Sequence, residues 1–187
     1  MGLLSKPIAC HGCPMYGDGV GWVPDEMVET VRVLILAQNP GADEERGMQI
    51  VSYEGRDPVY EPHAPAPLIG KTGYEMEHEY FPLAGLERGV NVSLANVLKC
   101  RQIKNGKRTN DMPTGKVLAG AVVHCTKAYL RIPPAVELIV AMGAHSAAYL
   151  GCPGSITDWR GHVFEPVLGK RTLSPPSTSP TCTTTQR

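Results

Sequence analysis

Four cysteines are the residues of this chain whose spacing most directly indicates chemistry. Cys10 and Cys13 form a C-x-x-C pair, which lets two thiolates from one turn reach a single metal centre. Cys100 follows a predicted strand and Cys125 lies in a predicted helix, so both are expected near one end of a sheet. Four thiolates suit zinc or a [4Fe–4S] cluster. Spacing alone leaves an iron–sulfur centre, a zinc site and ordinary buried cysteines open.

Amide side chains follow two predicted strands at the points where those strands end. Gln38 and Asn39 come directly after the apolar run 31–37, and Asn96 closes the run 90–95. In open parallel sheets, ligand pockets form outside the carboxyl ends of the strands. An amide there offers both a donor and an acceptor. The alternatives are an Asn-Pro turn for Asn39 and a turn or cap role for Asn96.

The segments that carry these residues read as alternating strands and helices. Near-continuous apolar runs indicate strands buried on both faces of a parallel sheet. We expect an α/β fold, a three-layer α/β/α sandwich with a short, mainly parallel central sheet. Residues 46–70, with four prolines, are expected to be irregular. The predicted strands cover residues 31–37, 90–95 and 136–141, and the predicted helices cover 24–30, 74–83, 117–130 and 143–150.

Length and composition predict a single domain with a tail. The 187 residues are 42% hydrophobic, and 18 basic residues balance 18 acidic ones. We expect one domain over residues 1–170 and a disordered Ser/Thr/Pro-rich tail over residues 171–187. No apolar run approaches the length of a membrane helix, and the N-terminus lacks a signal peptide pattern, so we expect a cytoplasmic monomer. In a reducing cytosol, six cysteines do not indicate a disulfide framework.

A basic segment over residues 99–108 is a candidate for contact with phosphates. It has no acidic residue before Asp111. Such a segment makes binding to nucleic acid dependent on salt. A solvated surface loop is the alternative. Its basic residues are Lys99, Arg101, Lys104, Lys107 and Arg108.

Four segments, in order, resemble the family 4 uracil-DNA glycosylases, and the resemblance covers roughly residues 8–165. An early C-x-x-C combined with a later N-V-x-K-C-R is specific as a pair, although each segment alone is weak. Agreement continues more weakly through Cys125 and through residues 136–147. The four segments are Cys10 with Cys13, residues 34–44 (LILAQNPGADE), residues 67–73 (PLIGKTG) with the following helix and 84–88 (AGLER), and residues 96–101 (NVLKCR).

The resemblance implies an enzyme that hydrolyses the N-glycosidic bond of uracil in DNA, with a [4Fe–4S] cluster held by the four cysteines. It implies that Asn96 reads the base. The Q-N-P-G turn is similar instead to a mixture of the superfamily's other first motifs, and in the mismatch-specific branch an asparagine at the place of Asn39 positions the attacking water. Acidic side chains at Asp43 and Glu44 are interpreted as first-turn helix charges. Gln38 and Leu68 are further candidates for contact with the base, and Lys71, Lys99 and Arg101 are candidates for contact with DNA.

The chain departs from the family pattern at three places. Gln38 and Asn39 stand where the family usually has an acidic and a small residue, and Leu68 stands where an aromatic residue usually stacks on uracil. No His-Pro-Ser motif follows Arg160, and His162 is at the wrong place for it. We expect a truncated end or a frame shift near Lys170. Two alternatives to the enzyme are therefore an iron–sulfur DNA-binding protein that cannot excise the base and an unrelated zinc domain.

Overall fold

The protein combines a parallel sheet, two small hairpins and six α-helices within the residues that the structure describes, with a 3-10 turn at Ile8–Cys10 before the first strand. The structure is a computed structural model and describes residues 2–152, 155–159 and 161–162. The predicted tail, residues 171–187, and Arg160 lie outside the described residues. In chain order the elements are β1 (Val33–Ala37), α1 (Ala42–Arg46), β2 (Met48–Glu54), β3 (Asp57–Pro62), α2 (Lys71–Glu75), a π-helical turn (Met76–Tyr80), α3 (Phe81–Ala84), β4 (Val92–Asn96), β5 (Gln102–Lys104), β6 (Lys107–Thr109), α4 (Gly115–Tyr129), β7 (Leu138–Ala141), α5 (Ala144–Tyr149) and α6 (Ile156–Trp159).

The central sheet has the strand order β4-β1-β7, and both neighbours run parallel to β1. The register places Ala37 beside Asn96 and Leu36 beside Ala141. The carboxyl ends of the three strands therefore meet at one edge of the sheet. This confirms the α/β class and the three strands predicted from their apolar runs.

Successive residues of β1 bury opposite sides of the sheet, as the strand period of two requires. Leu34 and Leu36 pack in a cluster that includes Val122 of α4. Ile35 and Ala37 pack on the other side, in a cluster that includes Phe81 of α3. These four β1 side chains are buried, and helical residues contact them from both sides.

Two sequence predictions about the secondary structure are wrong. Residues 24–30 form no helix, because the main chain of Glu26 exchanges hydrogen bonds with that of Leu94, at 2.9 and 2.8 Å, as an extended bridge. Residues 46–70 are not irregular throughout, because β2 and β3 form an antiparallel hairpin. The basic segment 99–108 also contains a hairpin, β5–β6. No helix among the described residues is long and apolar enough to cross a membrane.

Candidate functional site

A cleft of about 540 Å³, here called the edge cleft, lies at the carboxyl edge of the sheet. The turn after β1, the loop before α2 and the turn after β7 form its walls. Main-chain hydrogen bonds extend the sheet to this edge: the Val97 N–H donates to Ala37 and the Met142 N–H to Leu36, both at 2.9 Å. Four residues predicted from the sequence line the cleft: Gln38, Asn39, Leu68 and Lys71.

Asn39 has an amide whose orientation its neighbours determine. Its Nδ2 donates to the carbonyl oxygens of Pro40 and Asn110, both at 3.2 Å. Carbonyl oxygens only accept, so the amide nitrogen must face them. Oδ1 accepts no hydrogen bond from any described residue and is free to accept one from a water in the edge cleft.

Gln38 is oriented in the same way by His145 at the start of α5. Its Oε1 accepts the main-chain N–H of His145 at 3.0 Å and the Nδ1–H at 2.7 Å. Because this oxygen cannot donate, Nδ1 of His145 carries a proton. The Nε2 donor group of Gln38 is left without an acceptor among the described residues. The turn after β7 approaches closely here, since a Cβ at Gly143 would lie 2.5 Å from the Gln38 side chain.

Asn96 is fully enclosed, and its side-chain amide has no partner. The residue is 1% exposed, and neither Nδ2 nor Oδ1 makes a hydrogen bond within the described residues. It lies beside Ala37, which lines the edge cleft, but Asn96 itself is not one of the lining residues. Buried donors and acceptors are rarely left unpaired, because their lost hydration is costly. The amide makes none of the bonds that a turn or cap asparagine would make.

Lys99 is inside the protein, not on a DNA-facing surface. Its side chain is 1% exposed, and Nζ lies 2.5 and 2.7 Å from the two carboxylate oxygens of Asp25. Nζ also donates to the main-chain carbonyl of Asn96. Burial raises the pKa of the Asp25 carboxyl, and the Lys99 ammonium opposes that shift. The expectation that Lys99 contacts phosphate disagrees with this geometry, because the ammonium is enclosed and paired.

Arg101 is also occupied by contacts within the protein. Its guanidinium lies 3.1 Å from the buried carboxylate of Glu45, and Arg108 binds the same carboxylate at 2.6 Å. Arg108 further pairs with Asp18. The side chain of Arg101 is only 12% exposed. These two arginines fasten the β5–β6 hairpin to α1, so the predicted contact of Arg101 with DNA disagrees with this arrangement.

The four cysteines that the sequence singled out lie in one region, here called the thiol cluster. Cys10, Cys100 and Cys125 are buried, and Cys13 packs against the core that contains Cys100 and Cys125. The main-chain N–H of Lys99 points at the sulfur of Cys125 at 3.4 Å, and that of Met15 points at the sulfur of Cys13 at 3.5 Å.

The thiol cluster brings four sulfur donors into one largely buried region, and four thiolates are the donor set of a zinc or iron–sulfur centre. Burial raises the pKa of Cys100 to about 11 and that of Cys125 to about 12, and neighbouring cysteines of the cluster add to both shifts. Thiolates in such surroundings need a metal to balance their charge. The side chains as placed do not form a coordination sphere, since no three His, Cys, Asp or Glu residues in the described ranges are arranged as an ion site. The four sulfur donors are nevertheless of the type that binds zinc or an iron–sulfur cluster.

No protein-family model matches this chain. A search of the curated proteins also finds no match.

Sequence reasoning missed the roles of three residues that shape this site. His145 orients Gln38, Asp25 pairs with Lys99, and Glu44 is buried between two walls of the edge cleft. The sequence interpretation of Glu44 was a first-turn helix charge. Glu44 does lie in the first turn of α1, and its carboxylate also accepts hydrogen bonds from the main chains of Gly41 and Leu68. The one signal that the sequence offered for His145 was its position four residues after the end of the predicted strand 136–141.

Proposed function

We propose that this protein is a uracil-DNA glycosylase-like enzyme that hydrolyses the N-glycosidic bond of uracil in DNA during base-excision repair. The proposal starts from the resemblance of the four sequence segments to family 4. The structural observation that supports it best is the buried amide of Asn96, with donor and acceptor both unpaired. An amide of this kind matches the N3–H and O4 edge of uracil.

The residues around the edge cleft have suitable roles in such a reaction. The base must first leave the DNA stack, at a cost of a few kcal/mol. Bond cleavage then places positive character on the sugar and negative charge on the departing base. Asn39 presents Oδ1 to orient the attacking water, and Gln38 presents Nε2 as a donor toward the base. Leu68 supplies an apolar surface against the base, without the aromatic face usual in the family.

The cofactor that we propose is a [4Fe–4S] cluster held by Cys10, Cys13, Cys100 and Cys125. The burial of three of these cysteines and the main-chain N–H groups directed at the sulfurs of Cys13 and Cys125 support this assignment. Such a cluster supplies structural positioning and takes no part in bond cleavage. Zinc, bound by the same four thiolates, is the alternative.

The DNA contact that the structure favours is Lys71 in the wall of the edge cleft. Its side chain is 75% exposed, with a weak contact of 3.9 Å to Glu75. Lys104 and Lys107 are exposed on the β5–β6 hairpin. We propose that these lysines contact phosphates of uracil-containing DNA. We also propose that the protein acts as a monomer in the cytoplasm. For the whole domain we propose the three-layer α/β/α sandwich.

The second candidate function is DNA binding without base excision. The same cleft is compatible with it, and one feature favours it: Leu68 stands where an aromatic residue usually stacks on the base. A protein of this kind binds uracil-containing strands through Asn96 without cleaving the glycosidic bond.

The test is an excision assay on a single-stranded oligonucleotide with one uracil, followed by alkaline cleavage of the abasic product. We expect cleavage by the unaltered protein, loss of cleavage with Asn39→Ala and Asn96→Ala, and normal cleavage with Asn105→Gly, a matched change at an exposed hairpin turn. No cleavage, with tighter binding of the uracil strand than of a thymine strand, supports the second candidate. Neither cleavage nor preferential binding contradicts both.

A further inference from the structure

Glu44 connects two walls of the edge cleft through one buried carboxylate. One oxygen accepts the main-chain N–H of Gly41, in the turn that carries Gln38 and Asn39. The other accepts the main-chain N–H of Leu68, in the loop before α2. A capping box at the start of α1 accounts for the first contact. It does not account for the second, which joins segments 24 residues apart.

Leu68 has a backbone conformation that leucine rarely adopts. Its φ is +55°, in the left-handed region, where a side chain with a Cβ is disfavoured. Such strain persists only where the surroundings impose it, and it is concentrated at functional sites. Leu68 is also the residue that stands at the base-stacking position of the resembling family.

The main chain of Leu68 is held on both sides. Glu44 accepts its N–H, and Arg88 donates to its carbonyl at 2.8 Å and to that of Pro67 at 2.6 Å. Gly73 of α2 lies against the same carbonyl, and a Cβ at that position would be 1.6 Å from the oxygen. Of these groups, Glu44 also binds the turn that carries Gln38 and Asn39, through the main-chain N–H of Gly41.

We propose that Glu44 is a positioning residue that holds the base-contacting loop at a fixed distance from the turn carrying Gln38 and Asn39, and so sets the width of the slot for a pyrimidine base. This inference rests on the proposed function for the identity of the ligand. The bridging contact itself is independent of that function. An ionised carboxylate can accept both N–H groups, whereas an amide has only one acceptor oxygen.

Glu44→Gln is therefore the informative variant, because it preserves shape and removes one acceptor. Its matched control is Glu79→Gln, an exposed residue of the π-helical turn. Hydrogen–deuterium exchange, read in peptides that contain residues 39–41 or 66–70, tests the bridge without any need for activity. We expect exchange in at least one of the two peptides to accelerate by about tenfold with Glu44→Gln, as for the loss of a hydrogen bond to a charged group. Unchanged exchange in both peptides overturns the proposal.

Excision kinetics test the consequence for the base. With Glu44→Gln we expect kcat/KM for uracil to fall by about tenfold, the scale of one charged hydrogen bond, while affinity for an oligonucleotide without uracil stays unchanged. Glu44→Asp, which keeps the charge but is too short to reach both walls, should not restore the rate. Full activity of Glu44→Gln contradicts the positioning role. If the unaltered protein excises no uracil, the proposed function fails, and the exchange measurement alone decides whether the bridge exists.

Discussion

The side-chain ammonium of Lys99 donates a hydrogen bond to the main-chain carbonyl of Asn96, three residues earlier in the chain. The same residue donates its main-chain N–H to the sulfur of Cys125 at 3.4 Å. Asp25, the ion-pair partner of Lys99, also accepts the main-chain N–H of Asn96 at 3.2 Å. Segment 96–100 therefore joins the candidate base-reading amide to the thiol cluster.

The buried pair of Lys99 and Asp25 is expected to show strong energetic coupling. Lys99→Met leaves the Asp25 carboxylate without its partner, and we expect a loss of about 3 kcal/mol in the free energy of unfolding. Adding Asp25→Asn to Lys99→Met should cost much less than the sum of the two single changes, because no charge is then left buried. Chemical denaturation of the three variants measures the coupling. Additive losses would show that the two side chains do not interact.

Asn96 provides a prediction in which stability and function change in opposite directions. Replacing its unpaired amide by the apolar side chain of similar size in Asn96→Leu should raise the free energy of unfolding by about 1 kcal/mol. The same variant should lose uracil recognition. Denaturation and excision assays on one preparation measure both. A destabilised Asn96→Leu protein would indicate that the amide has a structural role instead.

The contacts with DNA are expected to depend on Lys71 and on salt. Each phosphate contact to a single strand contributes about 0.7 to the slope of log affinity against log salt concentration. Lys71→Ala should therefore weaken binding and reduce the slope by about 0.7. Lys127→Ala, on the exposed side of α4, is the matched control and should leave the slope unchanged. An unchanged slope with Lys71→Ala removes Lys71 from the DNA interface.

Glu44 is expected to link stability to pH. Burial raises its pKa above the ordinary 4.5, hydrogen bonds from Gly41 and Leu68 and the charge of Arg88 oppose the shift, and Asp43 adds to it. A raised folded-state pKa gives a stabilising contribution that is present below the unfolded pKa and is lost as pH rises through the folded value. The stability of the unaltered protein relative to Glu44→Gln should therefore fall as pH rises above the ordinary glutamate pKa of 4.5.

The excision activity should rise with pH where the stability falls, because only the ionised carboxylate of Glu44 accepts both N–H groups. The excision rate of the unaltered protein should rise with pH, and that of Glu44→Gln should vary less. Denaturation and kcat measured at matched pH values give both curves. Parallel changes in stability and activity would indicate that Glu44 affects the rate only through the fold.

Local patterns in the sequence were sufficient to predict the strands of the central sheet, but they did not predict the β2–β3 hairpin. The continuous apolar run of β1 and the strand end at Asn96 predicted the edge where Gln38, Asn39 and Leu68 now line the cleft. The β2–β3 hairpin was missed because prolines usually exclude a strand. Pro58 and Pro62 are tolerated since β3 pairs on one side only.

The charged residues show where sequence reasoning fails. A basic segment indicates phosphate contact only if its cations are exposed, and exposure depends on carboxylates distant in sequence. Lys99 pairs with Asp25, 74 residues away in the sequence. Arg101 pairs with Glu45, 56 residues away. Nothing within residues 99–108 identifies these partners.

The central proposal is that the four cysteines hold one inorganic centre beside the segment that presents Asn96. The direct measurement is iron, acid-labile sulfide and zinc in anaerobically purified protein, with Cys152→Ala as the control, since Cys152 is a buried cysteine outside the thiol cluster. We expect iron and sulfide in equal amounts, lost when Cys13 or Cys100 is changed to Ala and retained with Cys152→Ala. Zinc without sulfide, or protein free of metal, would contradict the account.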